Sequence, residues 1–408
     1  MKKNRDAAAL VIVLLGMSLA ACRHDTRTHA GVSVQVEDSA GVRIVGYVGT
    51  PIVNASFQFP AQPLYRHGTN PGDYTFQGIH PGTILPDGSA VISDVFNGEL
   101  VVLSPDGASH EVLAKPGEGP GEVGYVGAVY ALGQDRVLAA DRDLGRVTVF
   151  AGGSVERTVD IRSAYGLGVL GISSSGRLLM ATNTFRSGFE EQWLPGHMTR
   201  FDMETSALDT VASYDFASRT PPGLRWDPIG AFGGVAGVAG QFVYTRSDKP
   251  EVTWRSPDGT VTQIVRWRAE AAPLTEDLLE GIEAGLRAGN RMANPGAADA
   301  AIDRMTDEDM AVYRARIGGP MPLFSIPFGD VEGRVWLPSW RPGPAREGPS
   351  HYTVISADGE WLGTVEGPPG LRILDVAHGL VLGVQRDEMD VESVVVYEMP
   401  LRLATQAR

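Results

Sequence analysis

The stretch that decides the fold runs from Gly82 to Gly107, GTILPDGSAVISDVFNGELVVLSPDG. Its apolar runs are separated by two turn sequences, Asp87-Gly88 and Phe96-Asn97-Gly98. Glycine accepts the positive φ that a tight turn between antiparallel strands requires, so Asp-Gly between apolar runs is a strong indicator of a hairpin. The stretch therefore predicts an antiparallel sheet of at least three strands.

A second unit of the same kind follows along the chain. The run Arg136 to Asp141, RVLAAD, matches Ala90 to Asp94, AVISD, and the two aspartates are 47 positions apart. That spacing lies within the period of about 40–50 residues that propeller blades show. Looser units follow at residues 170–211, 234–267, 324–365 and 371–397.

Six such units predict an all-β fold, a six-bladed β-propeller over residues 32–400. A ring of blades leaves no exposed sheet edge once its first and last blades are joined. We expect the strands from Val32 to Val48 to complete the last blade and so close the ring. Residues 401–408 remain as a C-terminal tail.

The segment from Pro273 to Gly319 breaks the strand pattern. Apolar residues recur there at helical spacing, at Leu274, Leu278, Leu279, Ile282 and Leu286. Thr275 is placed to cap a first helix, and Thr306 is expected to open a second that continues to Ile317 before Gly318. The segment is predicted to be a helical insertion, either a packed decoration or a lid or partner surface.

The N-terminus has the layout of a secretory signal. Three basic residues precede an apolar run from Ala7 to Ala20, which is shorter than the roughly 20 apolar residues that a spanning helix needs. The run ends at Leu19-Ala20-Ala21-Cys22, which resembles the lipobox of bacterial lipoproteins. Residues 1–21 are therefore predicted to be a lipoprotein signal peptide, with lipid attached to Cys22.

Cys22 is the one cysteine of the chain, so no disulfide can form within a molecule. An unmodified thiol at an exported N-terminus would be unusual, which favours lipidation over the alternative of an ordinary secreted protein. Residues 22–31 are polar and are expected to be the lipidated tether. The predicted location is the bacterial cell envelope, with membrane lipid as a partner through Cys22.

The charge of the chain limits its partners. The formal net charge is −14, and residues 1–21 contribute +2, which leaves −16 on the remainder. A chain this acidic is not expected to bind nucleic acid or to adhere to anionic lipid. Hydrophobic residues nevertheless make up 43%, which is too many for a disordered chain.

No motif nominates a catalytic residue. The glycine-rich loop Gly117 to Gly121 lacks the Lys-Ser/Thr of a phosphate-binding loop. The eight histidines include no His-x-x-x-His pair, and no second thiol is available as a nucleophile. We therefore expect no catalytic set and no cofactor, and we treat an enzymatic activity as the less favoured alternative.

A basic pattern is the best candidate for a binding site. One arginine stands at the corresponding strand end of five units, at Arg142, Arg186, Arg246, Arg341 and Arg386. Guanidinium groups that converge at one mouth of the channel would suit a carboxylate or phosphate, and Trp340 could stack on a sugar or an apolar group. The alternative is that each arginine only pairs with a neighbour such as Asp143, Asp248 or Asp387.

The first function hypothesis is therefore a membrane-anchored binding module for an anionic small molecule, glycan or peptide, or for an envelope protein partner. The second is a calcium-dependent hydrolase of the lactonase type, with Asp94, Asn97 and Asn183 as metal ligands in the channel. Asp94 and Asn97 also suit ordinary turns. A third alternative is a structural subunit of an envelope assembly.

The chain also resembles a family of bacterial six-bladed β-propeller lipoproteins that are related in blade pattern to NHL-repeat propellers. The resemblance is carried by residues 38–45 (DSAGVRIV), 117–122 (GEGPGE) and 381–391 (VLGVQRDEMDV). It extends over nearly the whole chain after Cys22 and is weakest in the third blade. It implies the propeller fold and an exported location, and little about chemistry.

Overall fold

A computed structural model of the chain describes residues 24–29, 32–49, 56–182, 191–221, 227, 229–341, 349–387, 389 and 391–400. Five strands precede the first complete sheet: β1 (His24–His29), β2 (Val32–Ser39), β3 (Val42–Val48), β4 (Ser56–Gln58) and β5 (Tyr65–His67).

The remaining strands form six sheets, which we number as blades one to six. Blade one holds β6 (Ile79–Ile84), β7 (Ala90–Asp94), β8 (Glu99–Leu103) and β9 (His110–Ala114). Blade two holds β10 (Val126–Ala131), β11 (Arg136–Asp141), β12 (Arg146–Ala151) and β13 (Ser154–Asp160). Blade three holds β14 (Leu167–Ile172), β15 (Leu178–Thr182), β16 (Trp193–Phe201) and β17 (Leu208–Ser218).

Blade four holds β18 (Gly233–Val238), β19 (Gln241–Arg246), β20 (Glu251–Arg255) and β21 (Val261–Arg266). Two helices follow, α1 (Glu276–Ala293) and α2 (Asp299–Arg314). Blade five holds β22 (Phe328–Gly329), β23 (Val335–Pro338), β24 (Pro349–Ile355) and β25 (Trp361–Pro369), and blade six holds β26 (Arg372–Ala377), β27 (Leu380–Arg386) and β28 (Glu392–Glu398). The predicted all-β, six-bladed propeller with a helical insertion is confirmed.

The core lies between the blades. Each of the six contacts between neighbouring blades contains its own cluster of buried apolar side chains. An inner strand is covered on both faces, so its sequence is continuously apolar rather than alternating; all five residues of β7 are buried. The ring therefore derives its stability from six face-to-face contacts rather than from one central core.

The ring closes differently from the prediction. The strands within Val32 to Val48 do not complete the last blade: β2 and β3 form a hairpin, and β3 pairs in parallel with β21 on the outer edge of blade four. The closing strand is β5, which pairs antiparallel with β28 and supplies the fourth strand of blade six. With three residues, β5 is too short to show a period of two in the sequence.

The N-terminal segment therefore follows the outside of the ring. After the hairpin on blade four, β4 pairs in parallel with β25 of blade five, and β5 then joins blade six. These strands cover the outer edges of blades four, five and six, which would otherwise present unpaired backbone groups. Six of the ten residues of the predicted tether are also paired, since β1 lies antiparallel to β2.

The helical insertion is confirmed, with one boundary corrected. α1 begins after Thr275 as predicted, although the Thr275 side chain makes no capping hydrogen bond. The second helix begins at Asp299 and not at Thr306. The Thr306 hydroxyl is buried within α2 and donates to the Ile302 carbonyl at 2.8 Å, so it bonds one turn back instead of capping. Neither α1 nor α2 nor any other helix in the described ranges is long and apolar enough to cross a membrane.

Candidate functional site

The topology places the sequence-predicted residues at one end of the propeller. Strands alternate in direction within a blade, so the turn between the second and third strands lies at the same end as the connections between blades. The second strands end there at Asp94, Asp141, Thr182, Arg246, Pro338 and Arg386. We call this end the upper face. The helical insertion lies there too, because it connects blade four to blade five.

The helices pack onto this face. Ile302 and Tyr313 are fully buried, and the apolar side of the helices contacts Trp340 next to the end of β23. Arg316 after α2 pairs with buried Asp227 in the connection before blade four, with both nitrogen–oxygen distances at 2.9 Å. The insertion is thus held against blades four and five, and the Trp340 ring contributes to that contact.

The two repeated aspartates hold turns. Asp94 is fully buried and accepts hydrogen bonds from the amides of Gln77 and Gly78 at 2.9 and 3.0 Å, and from the Asn97 side chain at 3.0 Å. Asp141 accepts in the same way from three amide groups, at Gly124, Asp143 and Leu144. Asp94 and Asn97 thus stabilise turns through these hydrogen bonds.

The third ligand of the calcium alternative, Asn183, lies outside the described residues. Within the ranges that are described, no three His, Cys, Asp or Glu side chains are grouped as a metal site would need. Both Asp94 carboxylate oxygens already accept N–H groups. The predicted calcium site stays untested.

The Arg246 side chain forms ion pairs with residues close to it in the structure. It pairs with Asp215 at 2.7 Å and Asp248 at 2.6 Å, and its guanidinium lies 4.1 Å from the centroid of the Trp193 ring. These pairs explain why the pKa of Arg246 is raised, with the Asp248 hydrogen bond as the main cause. This arginine fits the pairing alternative that the sequence left open.

Arg142 and Arg186 have different outcomes. Arg142 is the first residue after β11 and is exposed on the upper face. Its side chain makes no hydrogen bond or ion pair with any residue that the structure describes. Arg186 lies outside the described residues.

A third arginine, Arg372, lies beside Arg386 of blade six, and Arg341 of blade five lies near Tyr352, as Arg372 does. We call Arg341, Arg372 and Arg386 the arginine cluster. Arg386 donates to Glu392 at 2.7 and 3.0 Å, and Arg341 donates to the His351 ring at 2.9 Å. Arg372 opens the innermost strand β26 and donates to the Ile79 carbonyl of blade one at 2.6 Å.

Glu392 is the acidic partner shared in this cluster. One of its oxygens accepts from Arg386 and lies 4.0 Å from the Arg372 guanidinium, which is beyond hydrogen-bond distance. Its other oxygen accepts from the Ile79 amide at 2.7 Å. One carboxylate thus accepts hydrogen bonds from the Arg386 guanidinium and one amide and forms a longer ion pair with the Arg372 guanidinium.

The electrostatics of the cluster are unusual for an acidic protein. Burial lowers the pKa of Arg372, and the Arg386 cation lowers it further against the opposing effect of Glu392. Partial loss of hydration and the Arg372 cation likewise lower the pKa of His80, although the residue is exposed. Arg341 and Arg372 both lie close enough to Tyr352 to oppose the rise that burial causes in its pKa. An added anion would relieve the repulsion between these cations.

The channel wall below the cluster carries a half-buried acid. Asp375 of β26 accepts from the Thr83 hydroxyl at 2.8 Å and from the Ile84 amide at 2.9 Å, both on blade one. Burial raises the pKa of Asp375. Its carboxylate therefore joins blade six to blade one across the closure of the ring.

Exposed apolar side chains concentrate on the upper face. The most exposed large apolar residues of the described chain are Tyr165, Met292, Met389, Phe96 and Ile326, at 88, 83, 80, 79 and 60%. Four of them stand in turns or connections at the upper end, and Met292 is in α1. Aromatic residues, methionine and arginine are the types enriched in binding interfaces.

Sequence reasoning missed Arg372, His80 and Asp375. Arg372 and Asp375 lie on the innermost strand of a blade, where the sequence shows only an apolar run from Leu371 with polar residues inside it. A polar residue within a strand that must be covered on both faces is a signal for a channel-lining side chain, and it was available at both positions.

The comparisons with known proteins agree on the fold. No family model matches the sequence, and no curated protein is similar to it at the sequence level. A solved structure of a Bacteroides fragilis protein proposed to be exported is 9% identical, with a TM-score of 0.50 over 87% of this chain and 98% of that one.

Two further structures are similar at lower scores. A member of the family of unknown function DUF4221 from Bacteroides vulgatus is 11% identical, with a TM-score of 0.45 over 84% of this chain and 94% of that one. The calcium-binding protein regucalcin from Agrobacterium tumefaciens is 13% identical, with a TM-score of 0.41 over 85% and 97%. At 9% identity, the similarity to the Bacteroides fragilis structure shows the fold alone. Membership of an NHL-like or lipoprotein family stays a prediction.

Proposed function

We propose that the protein is a binding module whose upper face holds an anionic ligand in the arginine cluster. The observation that supports this most strongly is that Arg372 and Arg386 face one carboxylate, Glu392, and that Arg341 and Arg372 both lie near Tyr352, on a chain with a formal net charge of −14. Arg372 is the central residue because its ion pair with Glu392 is long, at 4.0 Å, and the Glu392 oxygen involved already accepts a hydrogen bond from Arg386. Guanidinium groups bind carboxylates and phosphates through paired hydrogen bonds.

The ligand is expected to carry apolar surface beside its charge. Met389 follows Arg386 in the same turn, and Phe96 lies in the corresponding turn of blade one, the next blade of the ring. Acidic glycans and peptides with a free terminal carboxylate both combine an anion with apolar surface. We propose these two classes as the first ligands to test.

A thermal-shift measurement tests the proposal, with trigalacturonate and a tetrapeptide that has a free C-terminal carboxylate as the probes. A ligand at 100 times its dissociation constant adds about 2.7 kcal/mol to the free energy of unfolding, which is visible in the melt. We expect one of the probes to raise the melting temperature of the protein, and Arg372→Met to abolish the rise.

Arg136→Met is the matched control, because Arg136 begins β11 at the opposite end of the propeller and pairs with Glu156. It should leave the rise unchanged. A rise that is equal in Arg372→Met and the control would refute the proposed site. If calcium alone raises the melting temperature, the calcium-dependent hydrolase replaces this proposal.

We also propose that the module is exported and tethered by lipid on Cys22. The support is the apolar run that ends in Leu19-Ala20-Ala21-Cys22; Cys22 itself lies outside the described residues. In a bacterial host, Cys22→Ser is expected to move the protein from the membrane fraction to the soluble fraction. Retention of this variant in the membrane fraction would contradict lipid anchoring.

A further inference from the structure

A cavity of about 180 Å³ lies between blades two and three on the upper face. Its inner wall is formed by small residues of the two innermost strands, Gly127 and Ala128 of β10 and Gly168 of β14. Arg142 and Tyr165 line it from the turn and the connection above these strands. The cavity is half a ring away from the arginine cluster, because three blade steps separate the contact of blades two and three from that of blades five and six.

The size and the wall of the cavity suit one compact apolar group. An apolar cavity of about 150 Å³ is large enough to bind benzene. Here the wall carries glycine and alanine from the strands, with Val169 and Ala164 beside them. A single aromatic ring with a short substituent would fill this space.

The positive charge of Arg142 at the rim of the cavity favours a ligand whose substituent is an anion. Arg142 is exposed, and its guanidinium has no hydrogen bond or ion pair with a described residue. Asp141 also lines the cavity, but three amides already donate to its carboxylate. Arg162 is paired with Asp160. Arg142 is thus the cation available to a ligand, and exposed Asp143 beside it is the charge that opposes an anion.

We infer that this cavity is a binding site for a small aromatic carboxylate, with its ring against β10 and β14 and its carboxylate on Arg142. The site is separate from the arginine cluster and does not require it. It gives the upper face a second, smaller recognition site with its own chemistry.

Phenylacetate and its neutral counterpart 2-phenylacetamide are the probes, and titration calorimetry on the protein is the measurement. Gly127→Val is the blocking variant. A Cβ at Gly127 would meet only the Arg142 Cβ, at 4.0 Å, and Gly127 is not in the positive-φ region, so valine can be accommodated while its methyl groups enter the cavity. Gly46→Val in β3 is the matched control, since a Cβ there meets only the Gln35 carbonyl at 3.8 Å.

We expect the protein to bind phenylacetate at least about tenfold more tightly than the amide, which corresponds to about 1.4 kcal/mol. Arg142→Gln should remove this preference, and Asp143→Asn should strengthen phenylacetate binding. Gly127→Val should abolish binding of both probes, whereas Gly46→Val and Arg372→Met should not change it.

Three results would overturn the inference. The first is no detectable binding of phenylacetate, and the second is equal affinity for the acid and the amide. The third is binding that survives in Gly127→Val. Loss of binding in Arg372→Met as well would place the ligand at the arginine cluster and not in this cavity.

Discussion

At the scale of single residues, the buried charges of this propeller hold strand ends together. Asp330 lies in the turn before β23, and its carboxylate accepts from the Arg334 side chain at 2.5 Å and from the Trp336 indole at 2.8 Å. The Arg334 amide donates to the other oxygen at 2.8 Å. The Asp330 side chain is completely buried and that of Arg334 nearly so.

Asp330→Ala is therefore expected to be among the most destabilising single changes. Removing one partner of a buried ion pair costs about 3–5 kcal/mol, because the other charge is left in an apolar surrounding. Urea unfolding at neutral pH measures the free energy of unfolding. Glu332→Ala is the control, since Glu332 contacts the same guanidinium from a partly exposed position and should cost less than about 1 kcal/mol. Equal losses in the two variants would contradict the account.

The channel acid Asp375 makes stability depend on pH. Burial raises the pKa of Asp375 in the folded protein. The neutral form is therefore the better bound one, so its contribution to stability is complete below the pKa of the unfolded chain and is lost as pH rises through the folded pKa.

Asp375→Asn removes the charge while keeping an oxygen that can accept the Ile84 amide. We expect this variant to have a higher melting temperature than the wild-type protein at pH 8 and a smaller advantage at pH 4. Asp375→Ala lacks the acceptor and should melt lower at both pH values. An Asp375→Asn advantage that is the same at pH 4 and pH 8 would show that the charge is not the cause.

At the scale of elements, one phenol links the N-terminal hairpin, which pairs with blade four, to blade five. The Tyr47 hydroxyl of β3 donates to the Gly359 carbonyl at 3.1 Å and accepts a hydrogen bond from the Trp361 amide at 2.7 Å. This one hydroxyl therefore connects the β2–β3 hairpin on blade four to the turn before β25. Burial raises the pKa of Tyr47 to about 12, so the hydroxyl keeps its proton at neutral pH.

Tyr47→Phe should loosen this element without emptying its apolar contact. The variant leaves the Trp361 amide without its acceptor, which costs about 1–3 kcal/mol for a buried group. The checks are urea unfolding and the rate of proteolytic cleavage within residues 32–48. Tyr165→Phe, on a side chain that is 88% exposed, is the control and should change stability by less than about 0.5 kcal/mol. Unchanged stability and cleavage in Tyr47→Phe would contradict the role of this hydroxyl.

The elements differ in how far their sequences predict them. The hairpins of blade one are predictable because Asp87-Gly88 specifies a turn locally. The closing strand β5 is not, because its place is decided by β28, more than 320 positions away in the chain. The start of α2 is missed for a similar reason: Thr306 has the composition of a cap, but burial against Ile302 makes it an interior residue.

At the scale of the whole molecule, the sequence repeat predicts the number of blades. It does not predict the full arginine cluster. A period near 47 residues and six clusters between blades describe the same ring. The alignment of Arg341 and Arg386 at one end is also readable from strand positions. Arg372 joins them only because the ring brings the first strand of blade six next to blade one, a neighbour that no local pattern indicates.

The most direct test of the central proposal, an anion site in the arginine cluster, is crystallographic. Crystals soaked in selenate give an anomalous signal that locates the anion. We expect a peak within hydrogen-bond distance of the Arg372 guanidinium, together with its loss in crystals of Arg372→Met. Selenate bound only elsewhere, or bound at the cluster equally in the variant, would contradict the proposal.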